Sequence, residues 1–132
     1  MLDRLVIDAY GLWAAWRGRR AAVRVLAPKV TASRARLGAI AEHVWRDPYT
    51  IGLLGMSITL IALRATRGRI RANLMGNVQV DAWRGITGYE DADIGEEILL
   101  LSTAGDARFK AGCRTAIRMF GLSGAGAPPL LF

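Results

Sequence analysis

Sixteen consecutive residues, Pro48 to Leu63 (PYTIGLLGMSITLIAL), carry no charge. A helix apolar on every side must be enclosed, either by lipid or by the rest of a protein. Asp47 suits the N-cap of such a helix and Pro48 its first position. Arg64, Arg67, Arg69 and Arg71 close it. The uncharged run would be about 24 Å long, short of the roughly 30 Å hydrocarbon core of a bilayer. If Arg64 extends its head toward the interface, the span reaches Thr66 and gains about 4.5 Å. Trp45 and Tyr49 stand where an interfacial aromatic belt belongs. The sequence therefore predicts a transmembrane helix over about 48–66. The same run also suits the core helix of a soluble bundle. An apolar fraction of 52% and a mean hydropathy of +0.24 agree with the membrane setting.

Small residues within this helix, Gly52, Gly55, Thr59, Ala62 and Thr66, fall at intervals of 3, 4, 3 and 4. That spacing sets them on one side, a helix-packing seam that lets a second helix approach closely. In a membrane the second helix would belong to another subunit. Bulky Ile51, Leu54, Ile58 and Ile61 lie on a different side.

Charge divides the chain. The net charge is +7, but residues 1–80 carry 13 basic and 4 acidic side chains, and residues 81–132 carry 5 and 7. A basic front attracts anionic lipid headgroups or nucleic acid. Arg64, Arg67, Arg69 and Arg71 read most simply as stop charges in contact with lipid or phosphate. No aromatic interleaving or helix-turn-helix pattern near them supports base reading, so nucleic acid is the less expected partner.

The fold class expected is mainly α. Residues 1–46 read as amphipathic helices suited to a membrane surface. A first helix spans 2–26, with Leu2, Leu5, Val6, Ala9, Leu12, Trp13 and Trp16 on one face. Trp on that face and Arg17, Arg19 and Arg20 beyond it suit a headgroup layer; packing on a soluble core is the other reading. Ala27-Pro28 predicts a break. A second helix would start at Thr31 or Ser33 and run to Arg46, with a stripe of Leu37, Ile40, Ala41, Val44 and Trp45. Residues 47–71 are the transmembrane helix with its arginine stop.

Residues 72–120 are expected to be a small α-helical part outside the bilayer. Within it, 72–90 reads as irregular chain with a short extended piece near Val78 and Val80. Residues 94–101 form a short helix or strand. Thr103 with Asp106 resembles a capping box for a helix over 104–120. That helix would bury Phe109, Cys113, Ala116 and Phe120, and expose Lys110, Arg114 and Arg118. Residues 121–132 read as a flexible Gly/Pro tail.

Catalytic chemistry finds little footing. Glu90, Asp91, Asp93, Glu96 and Glu97 form an acidic patch, but Gly95 and Ser102 miss the EF-hand spacing, and an acidic helix start explains the patch. His43 is the only histidine and is expected to be a partly buried structural residue. Cys113 is the only cysteine and is expected in the core. No catalytic residue, cofactor site or metal site is assigned, and the chain is read as a non-enzyme.

Residues 47–83 read D-P-Y-T-I-G, an apolar run, R-G, then N-L-M-G-N-V-Q-V-D-A-W. This resembles the first half of the hypoxia-induced-gene domain of respiratory supercomplex factors, on Pro48, Ile51, Gly52, Gly68, Val80 and Ala82. The family's signature positions would fall on Asn73, Asn77, Gln79 and Trp83, which carry other residues, and its second membrane helix has no counterpart here. The resemblance implies a small accessory membrane protein associated with respiratory complexes, and no functional residue carries over.

The expectation is thus a non-catalytic accessory or structural subunit of a larger membrane complex, in a mitochondrial or bacterial inner membrane. Its partners would be other membrane subunits, through the small-residue seam, and anionic lipid headgroups. The alternative is a soluble all-helical structural or nucleic-acid-binding protein, such as a virion component.

Overall fold

The Asp47 carboxylate accepts the Tyr49 N–H at 3.1 Å, and Pro48 fills the first helical position with no amide hydrogen to satisfy. From that start the uncharged run forms one helix, Pro48–Thr66. It is the only described helix long and apolar enough to cross a membrane, with a mean hydropathy of 1.4 over its best window. The structure is a computed structural model that describes residues 2–38, 42–91 and 93–121, and of these the side chains of 9–36, 38, 43–91 and 93–121.

The described residues form helices and no strand: α1 (Leu2–Leu37), α2 (Glu42–Trp45), α3 (Pro48–Thr66), α4 (Ala72–Thr87), α5 (Ile94–Ala104) and α6 (Ala107–Ala116), with a π turn at Ile117–Gly121. The apolar run lies at the centre. Ile51, Leu54, Ile58, Leu60 and Ala62 of α3 are buried, and α1, α4, α5 and α6 all pack on it. One continuous core joins residues from α1 through α6. No residue between Tyr49 and Leu63 is fully exposed.

The seam on α3 is filled by the chain's own helices. Gly52 lies against the Phe109 carbonyl of α6, where a Cβ could not fit. Gly55 faces Ile98 of α5, whose Cδ1 would be 2.9 Å from an added Cβ. The Thr59 hydroxyl accepts from Gln79 Nε2 of α4 at 3.0 Å. Ala62 faces Gly18 of α1, where a Cβ would be 3.0 Å from the Ala62 Cβ. Thr66 is buried and donates to the Ala62 carbonyl at 2.8 Å. Four seam positions therefore receive four different helices.

Several local expectations need correction. The chain does not break at Ala27-Pro28: α1 runs through Pro28 to Leu37. Proline inside a helix costs roughly 3 kcal/mol. Here the helix is anchored on both sides of it, by buried Ala22 and Leu26 before and by Arg34 after, which donates to the Thr87 carbonyl of α4. Thr31 and Ser33 are not caps but lie within α1, bonded back to the Ala27 and Lys29 carbonyls at 3.0 Å. The break comes at Gly38, whose φ of 81° is open to glycine.

On α1 the bulky face is not packed on the core, which rules against the soluble-core reading of it. The buried stripe is Gly11, Ala14, Gly18, Ala22 and Leu26, while Leu12, Trp13 and Trp16 are exposed. Small residues win that position because α1 approaches α3 and the 67–71 linker closely. The expectations for the Leu2, Leu5, Val6 and Leu37 side chains, for Ile40 and Ala41, and for the tail over 122–132 lie outside the described residues.

Residues 72–87 are helix, not irregular chain. Gly85 serves close approach, since an added Cβ would lie 3.1 Å from Val23 of α1; Gly76 has open space where its Cβ would be and continues the helix. Residues 94–104 resolve as helix. Thr103 lies inside α5, which ends at Gly105 (φ 67°). The cap of α6 is Asp106, accepting from the Phe109 N–H at 2.9 Å. Phe109, Cys113 and Ala116 are buried, as the spacing predicts. His43 is exposed, contrary to expectation, because one-turn α2 turns Trp45 inward and leaves His43 on the other side.

Candidate functional site: an aromatic–arginine face

Ile70 decides where the arginine cluster goes. It is buried in the short linker between α3 and α4, with its Cδ1 set against Gly18 of α1. That plug pins the linker to α1 and places its neighbours along the edge of the helix. Arg69 donates to the Tyr10 hydroxyl at 2.6 Å and lies 5.9 Å from the Tyr10 ring centroid. The Arg71 guanidinium lies beside Gly11. Arg64 points elsewhere, to the Phe120 carbonyl at 3.1 Å. The four arginines thus do not act as one cluster: Arg67, Arg69 and Arg71 adjoin α1, and Arg64 ties α3 to the π turn.

Arg67 is held at φ 54° and ψ 42°, the only described non-glycine residue with positive φ. It ends α3 in a left-handed cap, with the Gly68 N–H bonded to the Leu63 carbonyl at 2.7 Å. This conformation costs a side-chain-bearing residue roughly 1–2 kcal/mol. Gly68 beside it is left-handed at φ 74°, so consecutive residues share the turn.

On α1, Trp13 and Trp16 are 45% and 47% exposed, large values for indoles. Arg17 sits over the Trp13 ring and Arg20 over the Trp16 ring, each 5.3 Å from the centroid. Together with Tyr10–Arg69 these make three cation–π pairs on one face. Two hollows open there. One, of about 370 Å³, is lined by Trp13, Trp16, Arg17, Arg20, Arg24 and Ala65 among others. The second, of about 260 Å³, is lined by Trp13, Arg17, Ala65, Thr66, Arg67 and Arg69. Neither has a carboxylate in its lining.

The sequence marks Trp13, Trp16, Arg17 and Arg20 as suited to a headgroup layer and Arg67 and Arg69 as lipid or phosphate contacts, but it does not join the two sets. Periodicity places Trp13 and Trp16 on one amphipathic face and gives them no basic partner from elsewhere in the chain. No spacing signal links residues 10–24 to residues 65–69.

The other candidates are chemically quiet. Burial pushes the Cys113 thiol up, which suppresses the thiolate. No group of three His, Cys, Asp or Glu among the described residues is placed to hold a metal ion. The acidic patch is engaged locally: Glu90 pairs with Arg84 at 3.4 Å, and Asp91 with Arg46 at 3.9 Å.

Glu97 differs from its neighbours. Its Oε2 is buried without a partner among the described residues. Burial, then Asp91, raise its pKa above the ordinary 4.5, with Asp93 adding to the rise and Arg46 opposing it. The folded state therefore keeps this proton where the unfolded state has lost it, and stability falls as pH rises from 4.5 through the folded pKa. Glu97→Gln should raise the melting temperature at pH 7, and the gap from wild type should shrink on acidification toward pH 4.5. Thermal melts at both pH values check this; a gap independent of pH would remove Glu97 as the source.

Comparison with family models, with curated proteins and with solved structures finds no match.

Proposed function

We propose that the chain is a non-catalytic accessory protein of a membrane assembly, held at an anionic bilayer surface by the aromatic–arginine face of α1 and the α3–α4 linker. The observation that carries this reading is the exposure of Trp13 and Trp16 beside arginines drawn from two separate parts of the chain. Half-exposed indoles with guanidinium groups fit the interfacial layer, where one part of the side chain is apolar and the other wet. A second apolar site, Leu99 and Leu100 of α5 at 66% and 67% exposure, supports association with a partner subunit. Since the α3 seam is occupied, partner subunits would meet such outer faces. A respiratory assembly is the one that the resemblance suggests.

A second reading has α3 crossing the bilayer, and its 19 residues and mean hydropathy of 1.4 favour it. Its surroundings favour the surface arrangement: α1, α4, α5 and α6 pack on α3 and bury half of its apolar window, and both α1 and α6 carry exposed arginines. Charged side chains next to a spanning helix are costly in hydrocarbon.

The accessory role is tested by blue-native electrophoresis of the tagged chain after mild-detergent solubilisation of membranes. Migration in a band well above the single chain is expected. Migration as the free chain contradicts the accessory role.

A further inference from the structure

The geometry points to a specific ligand for the aromatic–arginine face: the phosphodiesters of two anionic phospholipid headgroups, one on each side of the Trp13–Arg17 pair. The inference rests on the membrane reading above and names the chemistry that the face would recognise.

Three features lead there. The first is charge. One hollow gathers Arg17, Arg20 and Arg24; the other gathers Arg17, Arg67 and Arg69. With several guanidinium groups and no carboxylate in either lining, each hollow suits a compact anion that accepts several charge-assisted hydrogen bonds. Arg17 and Trp13 belong to both, so the hollows adjoin and share a wall.

The second feature is apolar surroundings. Trp13 and Ala65 line both hollows, and half-exposed Trp16 lines the first. A free phosphate has no use for this apolar border, whereas the glycerol and upper acyl carbons of a lipid do.

The third feature separates lipid from nucleic acid. Single-stranded nucleic acid binds by stacking bases on open aromatic faces. Here Trp13, Trp16 and Tyr10 each have a guanidinium of the chain's own over the ring. A base would find one face of each ring already covered, while a phosphate can reach the arginines with the rings in place.

The left-handed Arg67 adds a separate indication. Glycine would hold that cap without strain, yet the position carries a guanidinium that lines the second hollow.

The test uses the full chain and dihexanoyl phosphatidylglycerol below its micellar concentration, with native mass spectrometry to count bound lipids and tryptophan fluorescence to measure affinity. Two equivalents are expected, with dihexanoyl phosphatidylcholine binding at least about tenfold more weakly. Arg17→Gln should weaken both sites, Arg20→Gln only the first and Arg69→Gln only the second, each by about tenfold. Arg67→Gly should raise the melting temperature while weakening the second site, a combination that loss of folding cannot produce. Arg17 and Arg20 are exposed, so glutamine there leaves the core intact.

Equal binding of the two lipids, or unchanged affinity in Arg17→Gln, overturns the proposal. Inorganic phosphate binding as tightly as the lipid would make this a free-phosphate site, and a single-stranded oligonucleotide binding more tightly would make it a nucleic-acid site; either result overturns the lipid assignment. If the chain is not membrane-associated in cells but two phosphatidylglycerols still bind with this pattern, the membrane reading fails and the site stands. If the chain is membrane-bound and Arg17→Gln changes nothing, the site fails and the membrane reading stands.

Discussion

Replacing Gly52 or Gly112 with alanine is expected to unfold the chain or to lower its stability by more than about 3 kcal/mol. The two glycines form the crossing of α3 and α6. A Cβ on Gly52 would collide with the Phe109 carbonyl, and a Cβ on Gly112 with the Tyr49 carbonyl and, at 2.7 Å, the Leu53 nitrogen. All three obstacles are backbone atoms, so no side-chain rotation relieves the clash. The helices would have to separate, which loosens the packing of buried Ile51, Phe109 and Cys113. Asp47 reinforces the same junction, since it caps α3 and pairs with Arg108 of α6 at 2.7 Å. Gly76→Ala is the contrasting case. An added Cβ there meets nothing within 4 Å, and alanine is the better helix former, so a gain of roughly 0.5–1 kcal/mol is expected. Urea denaturation followed by far-UV circular dichroism compares the three variants. Wild-type stability in Gly52→Ala would mean that α3 and α6 do not cross as described.

Trp83→Ala is expected to cost about 3–5 kcal/mol. Trp83 is 2% exposed, the largest of the side chains closed off from solvent. Its ring meets Trp45 edge-on, with centroids 6.4 Å apart and planes at 78°. The pair joins α4 to the short α2, and truncation would leave a cavity among Trp45, Ile86 and their neighbours in the core. Since a domain of this size is stable by about 5–15 kcal/mol in all, that loss brings the chain near unfolding. Trp83→Phe, which keeps an aromatic ring, should retain part of the stability. The same urea experiment reads both; a loss under about 1 kcal/mol in Trp83→Ala would show that the α2–α4 contact is loose.

Elsewhere on α4, Asn73 and Asn77 are exposed and Gln79 bonds Thr59 of α3.

What could be read from the sequence was what local chemistry determines. Asp47, Pro48, the uncharged run and the arginines define α3 without any knowledge of its neighbours. The α6 face follows from spacing alone. Errors arose where tertiary contact overrules a local signal. Pro28 looks like a terminator, but flanking contacts hold α1 straight through it in sequence. Gly76 and Gly85 look like breakers, yet both lie within α4, with Gly85 at the point where Val23 of α1 presses on it. The face of α1 that turns inward is not the bulky one, which periodicity leaves open to a headgroup layer or a soluble core. Gly11, Ala14, Gly18 and Ala22 are inside since close helix approach selects small side chains. Turning the small stripe inward is what leaves Trp13 and Trp16 outside, beside the linker arginines.

Membrane fractionation of cells expressing the full chain tests the central proposal most directly. At physiological salt the chain should sediment with membranes. It should be released by a wash in about 1 M salt, where the Debye length of about 3 Å screens guanidinium–phosphate attraction. Arg17→Gln combined with Arg20→Gln should shift the chain toward the supernatant before any wash. Wild type found wholly in the supernatant at physiological salt, or held in the pellet through both high salt and alkaline carbonate, would contradict surface attachment; the second result would place α3 across the bilayer instead.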